Sequence, residues 1–144
     1  MSNPNMTAAV ERKDQLRNIV DGYFEALRQK DFSAIPYDDN VTLRAPLAAG
    51  GVNHPLVGKS TLHAQWWVGL EPALENVEIT IEEYYINASM TAICAEALIT
   101  LNVVAPPATL RVADRFTVNA EGKITEQENH FDPRDVTNPG WQND

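Results

Sequence analysis

The chain has 144 residues, of which 44% are hydrophobic, so it can bury one core of ordinary size without a disulfide or a structural metal. Its formal net charge of −9 argues against nucleic acid and anionic membrane surfaces as partners, because phosphate groups would repel it. The single cysteine, Cys94, cannot form an internal disulfide, and a polar N-terminal stretch and the lack of any apolar run of about 18 residues lead us to expect a cytoplasmic protein.

An amphipathic helix is predicted near the start of the chain. From Leu16 to Leu27 the apolar residues recur at intervals of three and four, which places them on one face of a helix. Arg28 and Lys30 follow this stripe, and cationic side chains suit the negative end of the helix dipole. Tyr23 lies on the apolar face, where a tyrosine commonly packs in a core with its hydroxyl group at an edge.

Shorter elements are predicted next. Residues 31–35 favour a brief second helix that ends before Pro36, and residues 40–46 favour a short strand. A loop rich in small residues then leads to a further helix from about Ser60 to Leu70.

The rest of the chain is predicted to form strands. After Pro72 the hydrophobic period changes to two, and β-branched and aromatic residues become frequent. The connections are short, which favours antiparallel neighbours. The predicted strands are residues 76–86, 91–103, 109–118 and 123–131. We expect an irregular tail over residues 133–144, and one α+β domain over residues 1–144 with helices against one face of an antiparallel sheet.

One acid interrupts the apolar face of the third of these strands. Alternation places Asp114 on the same face as four apolar residues, while the two neighbouring arginines point to the opposite side. The apolar residues of that face are Leu110, Val112, Phe116 and Val118. A buried carboxylate without a partner costs several kcal/mol if it stays charged. Two interpretations are open: a bulge or a partner on the next strand, or a neutral carboxylic acid that lines a cavity.

No motif for a metal or a cofactor stands out. His54, His63 and His130 are far apart in the sequence and lack the paired spacing of metal ligands. The stretch Gly58–Thr61 matches the end of a phosphate-binding loop, but Asn53 stands where such a loop needs a glycine. We therefore expect neither a metal nor a cofactor.

Three stretches of the chain resemble ketosteroid isomerase and its SnoaL-like and nuclear transport factor 2-like relatives. These stretches are residues 19–46, 54–67 and 112–124, and the order of elements extends the resemblance over most of residues 8–132. The fold that the resemblance implies is a cone-shaped α+β barrel. In it a strongly curved antiparallel sheet wraps around N-terminal helices and encloses an apolar pocket open at one end.

The resemblance also implies roles for single residues. Tyr23 stands where the isomerase carries its oxyanion-hole tyrosine, and Asp114 stands where it carries a protonated aspartic acid that donates a second hydrogen bond. The isomerase has its general base, an aspartate, just before a proline, whereas this chain has Ala45 before Pro46. Trp66 occupies the position of a supporting tyrosine, and its indole can donate but not accept a hydrogen bond.

Further pocket residues follow from the same resemblance. On the last strand every second residue is expected to point inward, namely Gln127, Asn129 and Phe131, with His130 outward. A register slip of one residue would bring His130 into the pocket as a replacement base, and His54 can also reach the pocket mouth. The predicted ligand-contacting residues are Trp66, Phe116, Asn129 and His130.

Three functions are compatible with these features, and the sequence does not specify a substrate. The first is an enzyme of SnoaL-like or ketosteroid isomerase-like type that isomerises, dehydrates or cyclises a small apolar carbonyl compound; Asp114 would move the proton and Tyr23 would polarise the carbonyl. The second is a small-ligand-binding or dimerisation module, since this fold hosts many functions and the isomerase base is missing. The third is an epoxide hydrolase of limonene type, which needs two carboxylates and an arginine together, whereas Arg111 and Asp114 lie on opposite strand faces.

A homodimer through the outer face of the sheet is expected, as the resemblance implies. On the strand at residues 91–103 one face is apolar, and the other is largely apolar except for Glu96. A strand with two apolar faces indicates that both are covered. The helices can cover only the pocket side, so a second copy of the chain is expected on the other.

Overall fold

The computed structural model describes residues 4–138 and residue 141. Helix α1 (Pro4–Gln29) opens the chain and begins well before the predicted apolar stripe. Leu16, Val20 and Phe24 on that stripe are fully buried against the sheet. The predicted second helix is a single 3₁₀ turn, Phe32–Ala34, because Pro36 stops it.

Six strands form one open sheet. They are β1 (Tyr37–Arg44), β2 (Leu56–Val57), β3 (Glu78–Ile86), β4 (Ala92–Leu101), β5 (Ala108–Val118) and β6 (Ile124–His130). Their order across the sheet is β2-β1-β6-β5-β4-β3, so β2 and β3 are its edges and the sheet does not close into a barrel. The four predicted strands after Pro72 are confirmed, and the two-residue strand β2 was not predicted.

The prediction of a purely antiparallel sheet is wrong at one pair of strands. Strand β1 runs parallel to β6, which makes the sheet mixed. A parallel pair needs a long connection, and here most of the chain lies between the two strands. Irregular register between β1 and β6, β3 and β4, and β5 and β6 marks bulges that bend the sheet around the helices, which gives the α+β cone expected from the resemblance.

Most of the segment between β2 and β3 is helical, but the helix changes type. It runs as α2 (Lys59–Leu62), a π-helical turn (His63–Trp67), α3 (Val68–Leu70) and a 3₁₀ turn (Glu71–Leu74). The predicted helix at residues 60–70 is confirmed. The π turn widens the helix where two tryptophans follow each other, and such turns occur frequently at functional sites.

Part of the predicted irregular tail is ordered. Helix α4 (Arg134–Thr137) forms one turn, and the indole of Trp141 donates a hydrogen bond of 2.8 Å to Asp135. The rest of the tail, residues 139–140 and 142–144, lies outside the described residues. In the described part of the chain, no helix is both long and apolar enough to cross a membrane.

The side chain of Arg12 joins helix α1 to the turns of two β-hairpins. The guanidinium of Arg12 donates hydrogen bonds of 2.9, 2.8 and 3.2 Å to the backbone oxygens of Met90, Val118 and Asn119. These oxygens lie where β3 joins β4 and where β5 joins β6. Arg12 therefore sets how the helix lies across the curved sheet.

Candidate functional site

Three elements bring a group of polar side chains together inside the fold. Tyr23 comes from α1 and Asp114 from the middle of β5. On β6, Asn129 stands opposite Asp114, and Gln127 stands opposite Phe116. The inward positions of β6 are the ones that the resemblance predicts, so Gln127 and Asn129 are buried.

Asp114 is a buried acid without a charged partner. Its residue is 2% exposed, and its Oδ1 atom has no hydrogen-bond partner within the described residues. Burial raises the pKa of Asp114 to about 8. The arginines on either side cannot oppose this shift, because they lie on the outer face, where Arg111 contacts Glu82 and Arg115 contacts Glu128. The sequence leaves two interpretations open, and the structure supports the second, in which the acid lines a cavity.

Tyr23 and Tyr37 are buried phenols that keep their protons. Burial raises the pKa of Tyr23 well above its ordinary value, and the nearby charge of Asp114 raises it further. The same two causes, in the same order, raise the pKa of Tyr37. The ring of Tyr23 is held edge-on by Phe24 and Phe116, at centroid distances of 5.1 and 4.9 Å. Both hydroxyl groups are therefore neutral hydrogen-bond donors across the physiological pH range.

A chain of hydrogen bonds, which we call the buried amide chain, joins Tyr37, Gln127, Tyr23 and Asn129. The Tyr37 hydroxyl donates to Gln127 Oε1. Gln127 Nε2 then donates to the Tyr23 hydroxyl oxygen at 3.1 Å and to Asn129 Oδ1 at 3.1 Å. All four side chains are buried.

The buried amide chain shows what sequence reasoning missed. The resemblance implies an inward position for Gln127 but no role, and nothing in the sequence singles out Tyr37. The available signal was the one that identified Asp114: a polar side chain at an inward position of a strand. For Tyr37 no such signal existed, because its partner Gln127 lies 90 positions away in the sequence.

A cavity of about 290 Å³ opens beside these side chains. Tyr23, Asp114 and Asn129 line it, and the other polar side chains on its wall are those of Gln65 and Trp66 from the π turn. The remaining lining residues are Leu27, Ala45, Leu47, Ala48, Gly69, Leu70, Ala73, Leu74, Ile99, Leu101, Leu110, Val112, Phe131 and Val136. The wall is thus mainly aliphatic, with one acid and no basic side chain among the described residues.

The structure places the other predicted site residues as follows. Trp66 and Asn129 line the cavity, whereas Phe116 lies behind its wall, in contact with Tyr23. His130 is exposed on the outer face, where its Nε2 lies 3.7 Å from Glu128. The alternation of β6 keeps His130 outside, as the resemblance implies without a register slip, so His130 does not line this cavity.

The structure also places His54 and Ala45, the two other residues considered for the pocket. His54 is exposed in the loop before α2 and does not line the cavity. Ala45, at the position of the isomerase base, is 2% exposed and does line it. Among the residues that the structure describes, no group of three or more His, Cys, Asp or Glu side chains is arranged to hold a metal ion.

A family model described as the SnoaL-like domain matches residues 20–127. No curated protein matches the chain.

Several solved structures share the fold at low sequence identity. SalBIII, described as an epoxide hydrolase/cyclase-like enzyme in pyran ring formation, is 19% identical, with a TM-score of 0.71 over 85% of this chain and 95% of its own. RV0760c from Mycobacterium tuberculosis, solved in complex with estradiol-17beta-hemisuccinate, is 14% identical, with a TM-score of 0.66 over 82% of this chain and 94% of its own. A steroid delta-isomerase from Pseudomonas aeruginosa is 16% identical, with a TM-score of 0.59 over 83% of this chain and 80% of its own.

Proposed function

The chain belongs to the SnoaL-like domain family, and from this premise we propose that it is an enzyme that performs acid–base chemistry on a small, neutral carbonyl compound. The observation that supports this proposal best is Asp114, an acid buried on the wall of a mainly aliphatic cavity with no countercharge. A purely structural position of that kind is normally filled by an apolar residue, because burying a carboxyl group without a partner is costly. The reactions that fit are isomerisation, dehydration and aldol-type cyclisation, and all three can begin by removing a proton next to a carbonyl group.

In the proposed reaction, Asp114 carries the proton. Its carboxylate takes a proton from the carbon next to the substrate carbonyl, and the electron pair moves onto the carbonyl oxygen to give an enolate. Tyr23 donates a hydrogen bond to that oxygen and so stabilises the developing charge. The neutral Asp114 then returns the proton to another carbon, or to a departing hydroxyl group as water leaves. A pKa of about 8 suits a group that must both accept and release a proton near neutral pH.

The test is deuterium exchange into a simple ketone. We expect the protein to accelerate exchange of the methyl protons of 2-acetylnaphthalene in D₂O. Proton NMR measures the rate of this exchange. The rate should rise with pH through about 8, since only ionised Asp114 accepts a proton. Asp114→Asn should lower the catalysed rate by about 10²–10⁴-fold, the usual contribution of a general base. Asp39→Asn, a change at an exposed acid of β1, is the matched control and should leave the rate unaltered. Equal rates for the wild-type protein and Asp114→Asn would rule the proposal out.

A ligand-binding module without catalysis is the second candidate. Ala45 supports it, because a methyl group lines the cavity where the resemblance implies a general base. This candidate predicts that 2-acetylnaphthalene binds but its methyl protons exchange no faster than in free solution. The epoxide hydrolase interpretation lacks such support, because the cavity wall has one carboxyl group and no arginine among the described residues.

We also propose that the chain forms a homodimer through the outer face of β3 to β6. On that face Leu98 and Cys94 of β4 are only half-buried, and Tyr85 of β3, which pairs with Cys94, is 55% exposed. Light scattering at micromolar concentration should give about twice the 16.0 kDa chain mass. Leu98→Glu should halve the measured mass, because it places a charge in the contact. A monomeric wild-type protein would contradict the proposal.

A further inference from the structure

The direction of the hydrogen bonds in the buried amide chain determines what the cavity offers to a ligand. The side-chain amide of Gln127 has one accepting oxygen and one donating nitrogen, and the two ends face different partners. Its oxygen faces Tyr37, and its nitrogen faces Tyr23 and Asn129. Turning the amide by half a rotation would exchange these roles.

Counting protons shows which direction is stable. As observed, the Tyr37 hydroxyl proton goes to Gln127, and the two amide protons of Gln127 go to Tyr23 and Asn129. In the reversed direction Gln127 would donate to Tyr37, which leaves the Tyr37 proton and the second amide proton without acceptors. Tyr37 is 3% exposed and does not line the cavity, so neither a ligand nor bulk solvent can accept a hydrogen bond from its hydroxyl group. Buried donors without acceptors are strongly disfavoured, so the observed direction is held by Tyr37.

This direction of the hydrogen bonds determines the role of the Tyr23 hydroxyl group. Its oxygen accepts a hydrogen bond from Gln127, and a further hydrogen bond from Asn129 also lowers its pKa against the larger effect of burial. With its oxygen engaged as an acceptor, Tyr23 has its proton left to donate. Asp114 Oδ1 does not take that proton, since it has no hydrogen-bond partner, and Tyr23 lines the cavity. The free hydrogen of Tyr23 is therefore available to a ligand.

We propose that Tyr37 and Gln127 are positioning residues that fix Tyr23 as a hydrogen-bond donor to the cavity, and that the ligand presents there an oxygen that only accepts, as in a ketone, aldehyde or ester. A ligand hydroxyl group is a poorer match, because the Tyr23 oxygen, which already accepts from Gln127, cannot accept its proton as well. This inference rests on the proposed function, in which Tyr23 donates a hydrogen bond to a carbonyl oxygen, and it adds the two residues that fix Tyr23 as the donor without touching the ligand.

The first experiment compares a matched ketone and alcohol. The ketone is 2-acetylnaphthalene labelled with ¹³C at its carbonyl, and the alcohol is 1-(2-naphthyl)ethanol. We expect the ketone to bind about tenfold or more tightly at pH 6, because one hydrogen bond to a polarised oxygen corresponds to roughly that factor. The infrared carbonyl stretch of the bound ketone should lie below its position in hexane. Tyr37→Phe should move the stretch back towards the hexane position and remove the preference for the ketone, because the Gln127 amide is then free to turn and accept the Tyr23 proton.

Two further variants serve as controls for this experiment. Tyr85→Phe removes a hydroxyl group from an exposed tyrosine of the outer face and should change neither the stretch nor the preference. Gln127→Glu keeps the size of the side chain but presents an acceptor to Tyr23, so it should act like Tyr37→Phe. A folded Gln127→Glu or Tyr37→Phe protein that retains the wild-type stretch would overturn the proposal.

The second experiment needs no ligand. Both side-chain amide protons of Gln127 should exchange with solvent far more slowly in ¹⁵N NMR spectra than those of Gln65, which is exposed at the cavity. Tyr37→Phe should accelerate the Gln127 exchange at least tenfold, and Tyr85→Phe should not. Gln127 protons that exchange as fast as those of Gln65 would refute the proposal, whether or not the ketone binds. Neither experiment requires turnover, so a protein that shows the carbonyl shift without deuterium exchange would refute the proposed enzyme and leave this inference standing.

Discussion

At the scale of single residues, Asp114 owes its properties to position rather than to charged neighbours. It lies in the middle of β5, between Ala95 of β4 and Asn129 of β6, and α1 covers the same face. Its surroundings are mainly aliphatic and hold no cationic side chain among the described residues, so the neutral acid is the stable form up to about pH 8. The same isolation that makes the acid costly for stability makes it a candidate proton carrier.

The free energy of unfolding should therefore depend on pH through Asp114. Between its ordinary pKa of 3.8 and the raised value of about 8, the unfolded chain loses this proton while the folded chain keeps it. In that window the folded state binds more protons, so stability falls as pH rises, by at most about 1.4 kcal/mol per pH unit from this group. Asp114→Asn should remove this slope and leave the protein more stable than wild type near pH 8. Urea unfolding at several pH values measures it, with Asp39→Asn as the control. An unchanged slope in Asp114→Asn would contradict the raised pKa.

The sequence predicted the residues whose partners are local and missed those whose partners are distant. Alternation along one strand sufficed to isolate Asp114, and the resemblance supplied Tyr23 and the inward position of Asn129. Tyr37 and Gln127 act only as a pair, and that pair exists because β1 lies beside β6 in the folded sheet. No local pattern contains that information.

At the scale of elements, the placement of α1 depends on Arg12 as well as on its apolar stripe. The stripe buries one face of the helix, but three hydrogen bonds from Arg12 fix its position along the strands. Because Tyr23 belongs to the same helix, Arg12 also bears on the geometry of the site.

Arg12→Met should keep the aliphatic stem and remove the three hydrogen bonds. We expect a loss of about 2–3 kcal/mol in the free energy of unfolding, because the backbone oxygens of two hairpin ends lose a charged donor. Lys13→Met, a change at an exposed neighbour on the same helix, should cost less than about 0.5 kcal/mol. Urea unfolding measures both, and equal effects of the two changes would show that Arg12 does not fasten the helix.

The elements themselves were largely predictable, and the errors have physical reasons. The long strands after Pro72 follow from periodicity, since three of them bury one face and β3 half-buries alternate residues. The two-residue strand β2 is too short to show any period, and the parallel pairing of β1 with β6 joins segments about 80 positions apart. Local turn chemistry predicts hairpins, so it predicted a fully antiparallel sheet.

At the scale of the whole molecule, the curved sheet and the helices enclose the cavity, and its wall combines residues from both ends of the chain, from Tyr23 to Val136. Tyr23 comes from α1, Asp114 from β5, Asn129 from β6, and Ala45 directly follows β1. A fold of this kind can change its chemistry by exchanging single wall residues while the frame stays the same. Ala45 is the position at which that idea can be tested.

Ala45→Asp should give the cavity a second proton carrier. If the resemblance to ketosteroid isomerase extends to this position, the new carboxylate faces the cavity that Tyr23 and Asp114 line, and both can stabilise an enolate oxygen. The variant should then convert 3-cyclohexen-1-one into its conjugated isomer, seen as a rise in ultraviolet absorbance, about 10²–10⁴-fold faster than Ala45→Asn, which has the same size but no base. Adding Tyr23→Phe and Asp114→Leu should abolish the gain, since both hydrogen-bond donors are then lost. A gain that survives the loss of both donors would mean that the cavity acts only as an apolar container, and equal rates for Ala45→Asp and Ala45→Asn would mean that this position does not face the reacting carbon.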